Sequence, residues 1–238
     1  MSQTSKISRR DFLSITGLTI GGMILASCSP APAQVLEPTA EPAVTSADEA
    51  LQRLKDGNQR YVANKTVDPN QTENRRVELA KGQHPFATIL GCVDSRVPPE
   101  LIFDRGLGDL FVIRTAGQVL DKAVVGSIEF GVAELKIPLL VVLGHENCGA
   151  VKATIEALEK KAEAEGSIGY LVESIAPAVE KAKGKSGDNV DNVVRANLEV
   201  IVSHLNESPV LSAAVSEGKL KIVGGRYDLD TGAVEYTV

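Results

Sequence analysis

Histidine and cysteine are scarce in this chain, with three of each among 238 residues. Cys28 ends an N-terminal apolar run, which leaves only Cys92 and Cys148 in the body, enough for one disulfide at most. Basic charge is also short. The net charge is −6, and Lys6, Arg9 and Arg10 fall in the first 28 residues, so the body is more acidic than the whole. No basic patch of the kind that tracks phosphates is present, which excludes nucleic acid as an expected partner. An acidic surface can still surround a small neutral substrate. A membrane-length apolar run is missing as well: Ile15 to Ala26 falls short of the roughly 20 residues that a span needs. What remains, 43% apolar and 24% charged residues, is ordinary for one globular domain with a sizeable core.

The N-terminus reads as an address. Ser8-Arg9-Arg10-Asp11-Phe12-Leu13 followed by the Gly-rich apolar stretch resembles a twin-arginine export signal, with Ser14 where that pattern often has Lys. Leu25-Ala26-Ser27-Cys28 resembles a lipoprotein cleavage box, which would make Cys28 the lipidated first residue of the mature chain. An ordinary secretory signal or an uncleaved anchor is the alternative, and it leaves Cys28 without a role. Residues 29–46, rich in Pro, Ala, Thr and Glu, cannot bury enough surface to fold and read as a tether. The expected organisation is therefore a signal over 1–28, a linker over 29–46 and a folded domain over 47–238. The expected location is the periplasm or cell envelope, with membrane contact only through a lipid at Cys28. Two thiolates entering an oxidising compartment risk disulfide formation. A route that carries folded proteins would let them be protected inside the fold first.

In the body, apolar spacing predicts an amphipathic helix over 47–63 and a short helix near Arg75 to Lys81. Strands are expected at 85–90, 109–114, 139–143 and 219–223, with a closing hairpin over 227–238 turning at Asp230-Thr231-Gly232. Further helices are expected after Pro98-Pro99 and over 122–135, 149–163, 168–183, 190–206 and 209–216; Pro177 should kink or divide the fourth of these six. Short apolar strands alternating with helices give an α/β fold with a mainly parallel central sheet flanked by helices. Ligands in such sheets bind beyond the carboxyl ends of the strands.

Two motifs stand at such ends. Gly144-His145-Glu146-Asn147-Cys148-Gly149 places a histidine and a cysteine three apart in a strand-to-helix turn, and Cys92-Val93-Asp94-Ser95-Arg96 follows another strand. Cys92, His145 and Cys148 suit zinc, and three protein ligands leave a fourth position for water, the pattern of a catalytic site. Two thiolates neutralise Zn²⁺, so the bound water is less acidic than at an all-histidine site. Asp94 is placed to accept a hydrogen bond from that water, or to close the site as a fourth ligand. Arg96 can hold the carboxylate ionised. A structural zinc or a disulfide is the plain alternative for the three ligands, and a surface ion pair for the dyad. His84 and His204 read as ordinary histidines.

These motifs, with Glu129-Phe130-Gly131 between them, resemble the β-class carbonic anhydrases over roughly residues 47–230. The resemblance implies one zinc per subunit on Cys92, His145 and Cys148, and Asp94 and Arg96 as the catalytic dyad. It implies a homodimer or higher oligomer in which Gln83 reaches the neighbouring site to bind substrate. Phe111, Ala116 and Phe130 match positions lining an apolar substrate pocket. Gln118 replaces a common Asn and Gly131 a usual Ala. Ile89 stands where some members carry a tryptophan that helps form a bicarbonate-regulated inactive state, which argues against that regulation here. The implied reaction is reversible hydration of CO₂ to bicarbonate and a proton by zinc-bound hydroxide, with activity rising on the alkaline side of neutrality. The motifs offer no further histidine as a proton shuttle, which leaves buffer or another group to carry the proton. A CS₂ or COS hydrolase on the same scaffold, or a non-catalytic envelope zinc-binding protein, are the alternatives; the intact dyad argues against the last.

Overall fold

The computed structural model describes residues 43–237. The stretch read as an export signal, Cys28 and most of the expected linker lie outside them. Helix α1 (Ala47–Val62) starts where the Ser46 hydroxyl accepts the Glu49 N–H, with Asp48 and Glu49 in its first turn complementing the helix dipole. Helix α2 (Glu73–Leu79) begins two residues earlier than the apolar spacing suggested, because the Thr72 hydroxyl caps it by accepting the Arg75 N–H. Strand β1 (Ala87–Cys92) leads into the short helix α3 (Pro99–Ile102), which has proline in its first turn. Strand β2 (Leu110–Thr115) runs into a 3₁₀ turn, Ala116–Gln118, and then helix α4 (Lys122–Ala133), capped by Asp121. Strand β3 (Leu139–His145) is followed by α5 (Gly149–Lys160), α6 (Ile168–Ala182), α7 (Asn189–Leu205) and α8 (Pro209–Ser216). Strands β4 (Lys221–Tyr227) and β5 (Val234–Thr237) close the domain.

The sheet order is β2-β1-β3-β4-β5, parallel except for the antiparallel β5. Both faces are covered, and the period of two shows why β3 is apolar throughout. Leu139, Val141 and Leu143 join Leu51 and Leu54 of α1 in one core, while Leu140 and Val142 join Ile128 of α4 and Leu198, Ile201 and Leu205 of α7 in another. From β1 the chain moves outward to β2 and then crosses back to place β3 on the other side of β1. That reversal opens a crevice at the carboxyl ends of β1 and β3, the position where such sheets bind ligands.

Two expectations need correction. Of the two outcomes expected at Pro177, a kink or a division, the division does not occur: α6 runs from Ile168 to Ala182 with the proline inside it. Ile175 and Ala178, on either side of the proline, are fully buried against α5 and α7 residues, so packing outweighs the one hydrogen bond that proline removes. The last parallel strand does not stop at Val223. It continues through Gly224-Gly225 to Tyr227, so β4 itself is the first arm of the hairpin, pairing Gly224 with Thr237 and Tyr227 with Val234. A side chain at Gly224 would come within 2.7 Å of the Thr237 hydroxyl, so the glycine admits a close strand approach rather than ending the strand.

Candidate active site and metal centre

Cys92 is the last residue of β1, His145 the last of β3, and Cys148 the residue that precedes the first turn of α5. The crevice therefore gathers side chains more than fifty residues apart. Their ligand atoms lie within 4.8 Å of one another, and all three residues are buried, His145 completely. The turn between them needs Asn147 at φ 54°, a left-handed conformation that asparagine tolerates well.

The imidazole shows what the cluster is for. Nδ1 lies 2.8 Å from the Glu146 carbonyl oxygen, which can only accept, so Nδ1 carries the proton. Nε2 then presents a bare lone pair, and it is buried with no hydrogen-bond partner. An orphaned buried acceptor flanked by two thiols fits a cation. The sulfurs are prepared for one as well. Cys92 is pushed toward the thiolate chiefly by a hydrogen bond from the Cys148 thiol, against its own burial. The Cys148 thiol is held protonated by that same bond to Cys92, by burial and by the charge on Cys92, although it accepts from the N–H groups of Ala150 and Val151 at the start of α5. A divalent ion between the sulfurs removes the repulsion that opposes the second ionisation. The donor set thus fits zinc.

Asp94 reaches the same spot, with Oδ2 3.8 Å from the bare His145 Nε2. Arg96 grips it from outside: its backbone N–H and Nε donate to Oδ1 at 2.9 Å each, and Nη2 donates to Oδ2 at 2.7 Å. These bonds, Arg96's side chain foremost, hold the carboxyl well below the usual carboxylate range. Asp94 is ionised at any working pH.

Other anchors were not visible as site residues in the sequence. Arg114 on β2 donates from Nε to the Cys92 carbonyl and from Nη2 to the Asp94 carbonyl, both at 2.7 Å, and so fixes the turn that carries ligand and dyad. Its signal was a lone arginine ending an otherwise apolar strand. Glu146 holds the His145 side: its N–H donates to the Tyr227 carbonyl, and its carboxylate accepts from the Leu229 N–H and lies 3.7 Å from Arg226.

The sequence-derived substrate residues are not all gathered here. Ala116 opens the 3₁₀ turn, next to Thr115, the register partner of Cys92. Phe111 lies half-buried on the edge strand β2, touching distance from Gly131 of α4, and the neighbouring Phe130 is 50% exposed. Gln83 is exposed before β1, at the opposite end of that strand from Cys92. At about 3.3 Å per residue the strand alone separates them by roughly 15–20 Å. His84 and His204 are exposed, away from the ligand cluster.

Comparison with known proteins gives this geometry its family. The sequence model of the family described as carbonic anhydrase matches residues 87–234, which span both ligand motifs and the dyad. The chain belongs to the β-class carbonic anhydrases. It is 43% identical over 187 residues to a carbonic anhydrase of Mycolicibacterium smegmatis, covering 78% of this chain and 91% of that relative. Among solved structures, the Coccomyxa β-carbonic anhydrase in complex with acetazolamide superposes with a TM-score of 0.61 at 27% identity, over 81% of this chain and 86% of that one. A tetrameric β-carbonic anhydrase of Sordaria macrospora gives 0.62 at 25% identity, over 68% and 84%. Zinc is the metal of this family, and the Cys92, His145 and Cys148 cluster is the group in the described residues that suits it.

Proposed function

We propose that this carbonic anhydrase hydrates CO₂ reversibly at the crevice between β1 and β3, with Cys92, His145 and Cys148 as zinc ligands and Asp94 and Arg96 as the dyad. The observation that carries the assignment is the bare, buried Nε2 of His145 beside two cysteines and an ionised carboxylate. Zinc supplies a Lewis acid there that makes water a nucleophile near neutral pH. Asp94 accepts a hydrogen bond from the attacking water and so turns a lone pair toward the carbon of CO₂. Arg96 occupies both Asp94 oxygens, which supports a role for Asp94 outside the ligand set and keeps it from taking the proton. One water and one CO₂ give bicarbonate and one proton, and the proton passes to solvent buffer.

The apolar wall comes from Ala116 of the same subunit and, because Phe111 pairs with Thr88 at the far end of β1, from Phe111 and Phe130 of a second subunit. Gln83, too far along β1 to serve its own site, binds substrate in the site of a second subunit, where its amide donates to a substrate oxygen. An oligomer follows. Two features support it: β2 is an edge strand, half-exposed along its whole length and carrying Phe111, Val112 and Ile113, and Phe130 stands exposed beside it. The domain spans 47–238 and is exported by a twin-arginine signal over 1–28, then tethered through residues 29–46 to a lipid on Cys28 in the cell envelope. The paired arginines and the box ending in Cys28 support that reading.

The test is stopped-flow CO₂ hydration by zinc-loaded protein, run beside COS and CS₂ hydrolysis. The expected result is fast CO₂ hydration that is lost, together with zinc, in Cys148→Ser. Slow CO₂ hydration with fast turnover of COS or CS₂ would overturn the substrate assignment.

A further inference from the structure

His145 is completely buried, and its Nδ1 donates to the Glu146 carbonyl at 2.8 Å. A buried donor left without an acceptor costs more than its bond gains, so the aim of this carbonyl decides which ring nitrogen stays bare. That aim depends on the ψ of Glu146 and on Asn147, which turns left-handed at φ 54°. Two anchors fix Glu146. Its N–H donates to the Tyr227 carbonyl at 2.9 Å, extending the β3–β4 ladder one residue past the pair His145 and Tyr227. Its carboxylate accepts the Leu229 N–H at 3.3 Å through Oε2, and its Oε1 lies 3.7 Å from Arg226 Nη2. Arg226 is 9% exposed near the end of β4, in register with Gly144. Asp191 in the first turn of α7 accepts from its Nε, and Asp228 accepts from Nη1 at 3.4 Å, while Arg195 donates to the other oxygen of Asp191. Two nitrogens of this guanidinium are thus tied to α7 and to the hairpin. The third faces Glu146.

We infer that Glu146 and Arg226 are positioning residues for the metal centre: Arg226, locked by Asp191 and Asp228, holds the Glu146 side chain so that the Glu146 carbonyl stays on Nδ1 of His145. Nε2 is thereby kept as the donor to the metal. Neither side chain belongs to the ligand cluster. The partner of a ligating imidazole fixes its tautomer and ring orientation, and losing such a partner weakens metal binding by about ten- to a hundred-fold. A carboxylate held by a planar, fixed guanidinium is a stiffer anchor than one left to water. With the side chain released, Glu146 keeps only its N–H anchor, its ψ is free to change, and the carbonyl leaves the ring.

The inference rests on the assignment of His145 as a zinc ligand through Nε2, and NMR of the labelled histidine ring nitrogens separates the two. His84 and His204 are exposed, so a ring N–H that exchanges slowly with water belongs to His145. In wild type the Nε2 resonance of that ring is expected to move between the zinc-free and zinc-loaded protein; an unmoved one would refute the ligand assignment itself. With zinc bound, Glu146→Ala and Arg226→Met are expected to speed both exchange of the Nδ1 proton and release of zinc to a chelator by about ten-fold. Glu146→Gln keeps an oxygen for the Leu229 N–H and loses only the charge facing Arg226, so it should fall between wild type and Glu146→Ala. Arg60→Met is the control, since it removes a partly buried ion pair with Asp104, outside the ligand cluster. It is expected to lower the melting temperature and leave the ring proton and zinc release unchanged. Wild-type exchange and zinc release in Glu146→Ala would overturn the role of Glu146, and wild-type values in Glu146→Gln that of Arg226. An equal effect in Arg60→Met would overturn both.

Discussion

Replacing Arg114 with methionine keeps the length of the side chain on β2 and removes both guanidinium bonds that hold the Cys92 and Asp94 carbonyls. Each is a charge-assisted bond of 2.7 Å, a class that contributes about 1.5–3 kcal/mol. Arg114 is half-buried, so water can replace part of what is lost. A net loss of about 2–3 kcal/mol follows, divided between the fold and the geometry of the turn. If half falls on the turn, zinc affinity drops about ten-fold, since 1.4 kcal/mol corresponds to that factor. The remainder lowers the melting temperature of the zinc-free protein by a few degrees, at about 2–4 °C per kcal/mol for a chain of this size. Arg114→Lys is expected to recover little, because a single ammonium cannot span two carbonyls in a fixed fork. Competition with a fluorescent zinc chelator measures the first quantity and calorimetry the second. Wild-type zinc affinity in a folded Arg114→Met protein would refute the reasoning, because the turn would then hold its shape unaided.

Gly57→Ala is expected to cost about 3 kcal/mol, and about 10 °C in thermal melting, because the new methyl would stand 1.8 Å from the Phe103 carbonyl oxygen and force α1 away from α3; an unchanged melting point would contradict the packing described. Arg195 donates to Asp191 and Glu235. Burial raises Asp191, but hydrogen bonds from Arg195 and Arg226 outweigh it and leave the carboxyl lowered; the Arg195 bond lowers Glu235 directly. Depressed carboxyl groups stabilise the fold above their unfolded pKa values near 4 and lose that effect as pH falls through the folded ones. Arg195→Met should therefore lower the melting temperature by about 2–4 °C at pH 7 and by less at pH 3; equal losses at both would exclude the linkage. Because two cysteine ligands make the metal a weaker acid than three histidines would, CO₂ hydration should rise from pH 6 to pH 9, and a flat stopped-flow profile would refute this.

The central strands and the metal cluster were legible because both are written locally. Leu139 to Leu143 is apolar at every position because β3 is covered on both faces, and His145 and Cys148 share one turn. Cys92 joined them through a rule about strand ends rather than through any spacing. What stayed hidden depends on pairings across the fold. Asn197 meets Gly117 across 80 positions and Gln118 meets Leu143 across 25, and a buried amide in the sequence says nothing of which carbonyl it will find. The strand expected at 219–223 stopped short of Gly224-Gly225, whose use, the close approach of Gly224 to Thr237, needs the partner strand to be known. That α6 continues past Pro177 was hidden for the same reason, since the packing that carries it through belongs to other helices.

The proposed chemistry requires Asp94 to act beside the metal rather than to hold it. Asp94→Asn preserves shape and removes the charge that Arg96 grips, so the decisive measurement is zinc content and stopped-flow CO₂ hydration on that one variant. The expected result is one zinc per chain with hydration reduced at least about a hundred-fold. Full zinc with wild-type hydration would show that the carboxylate takes no part in the chemistry.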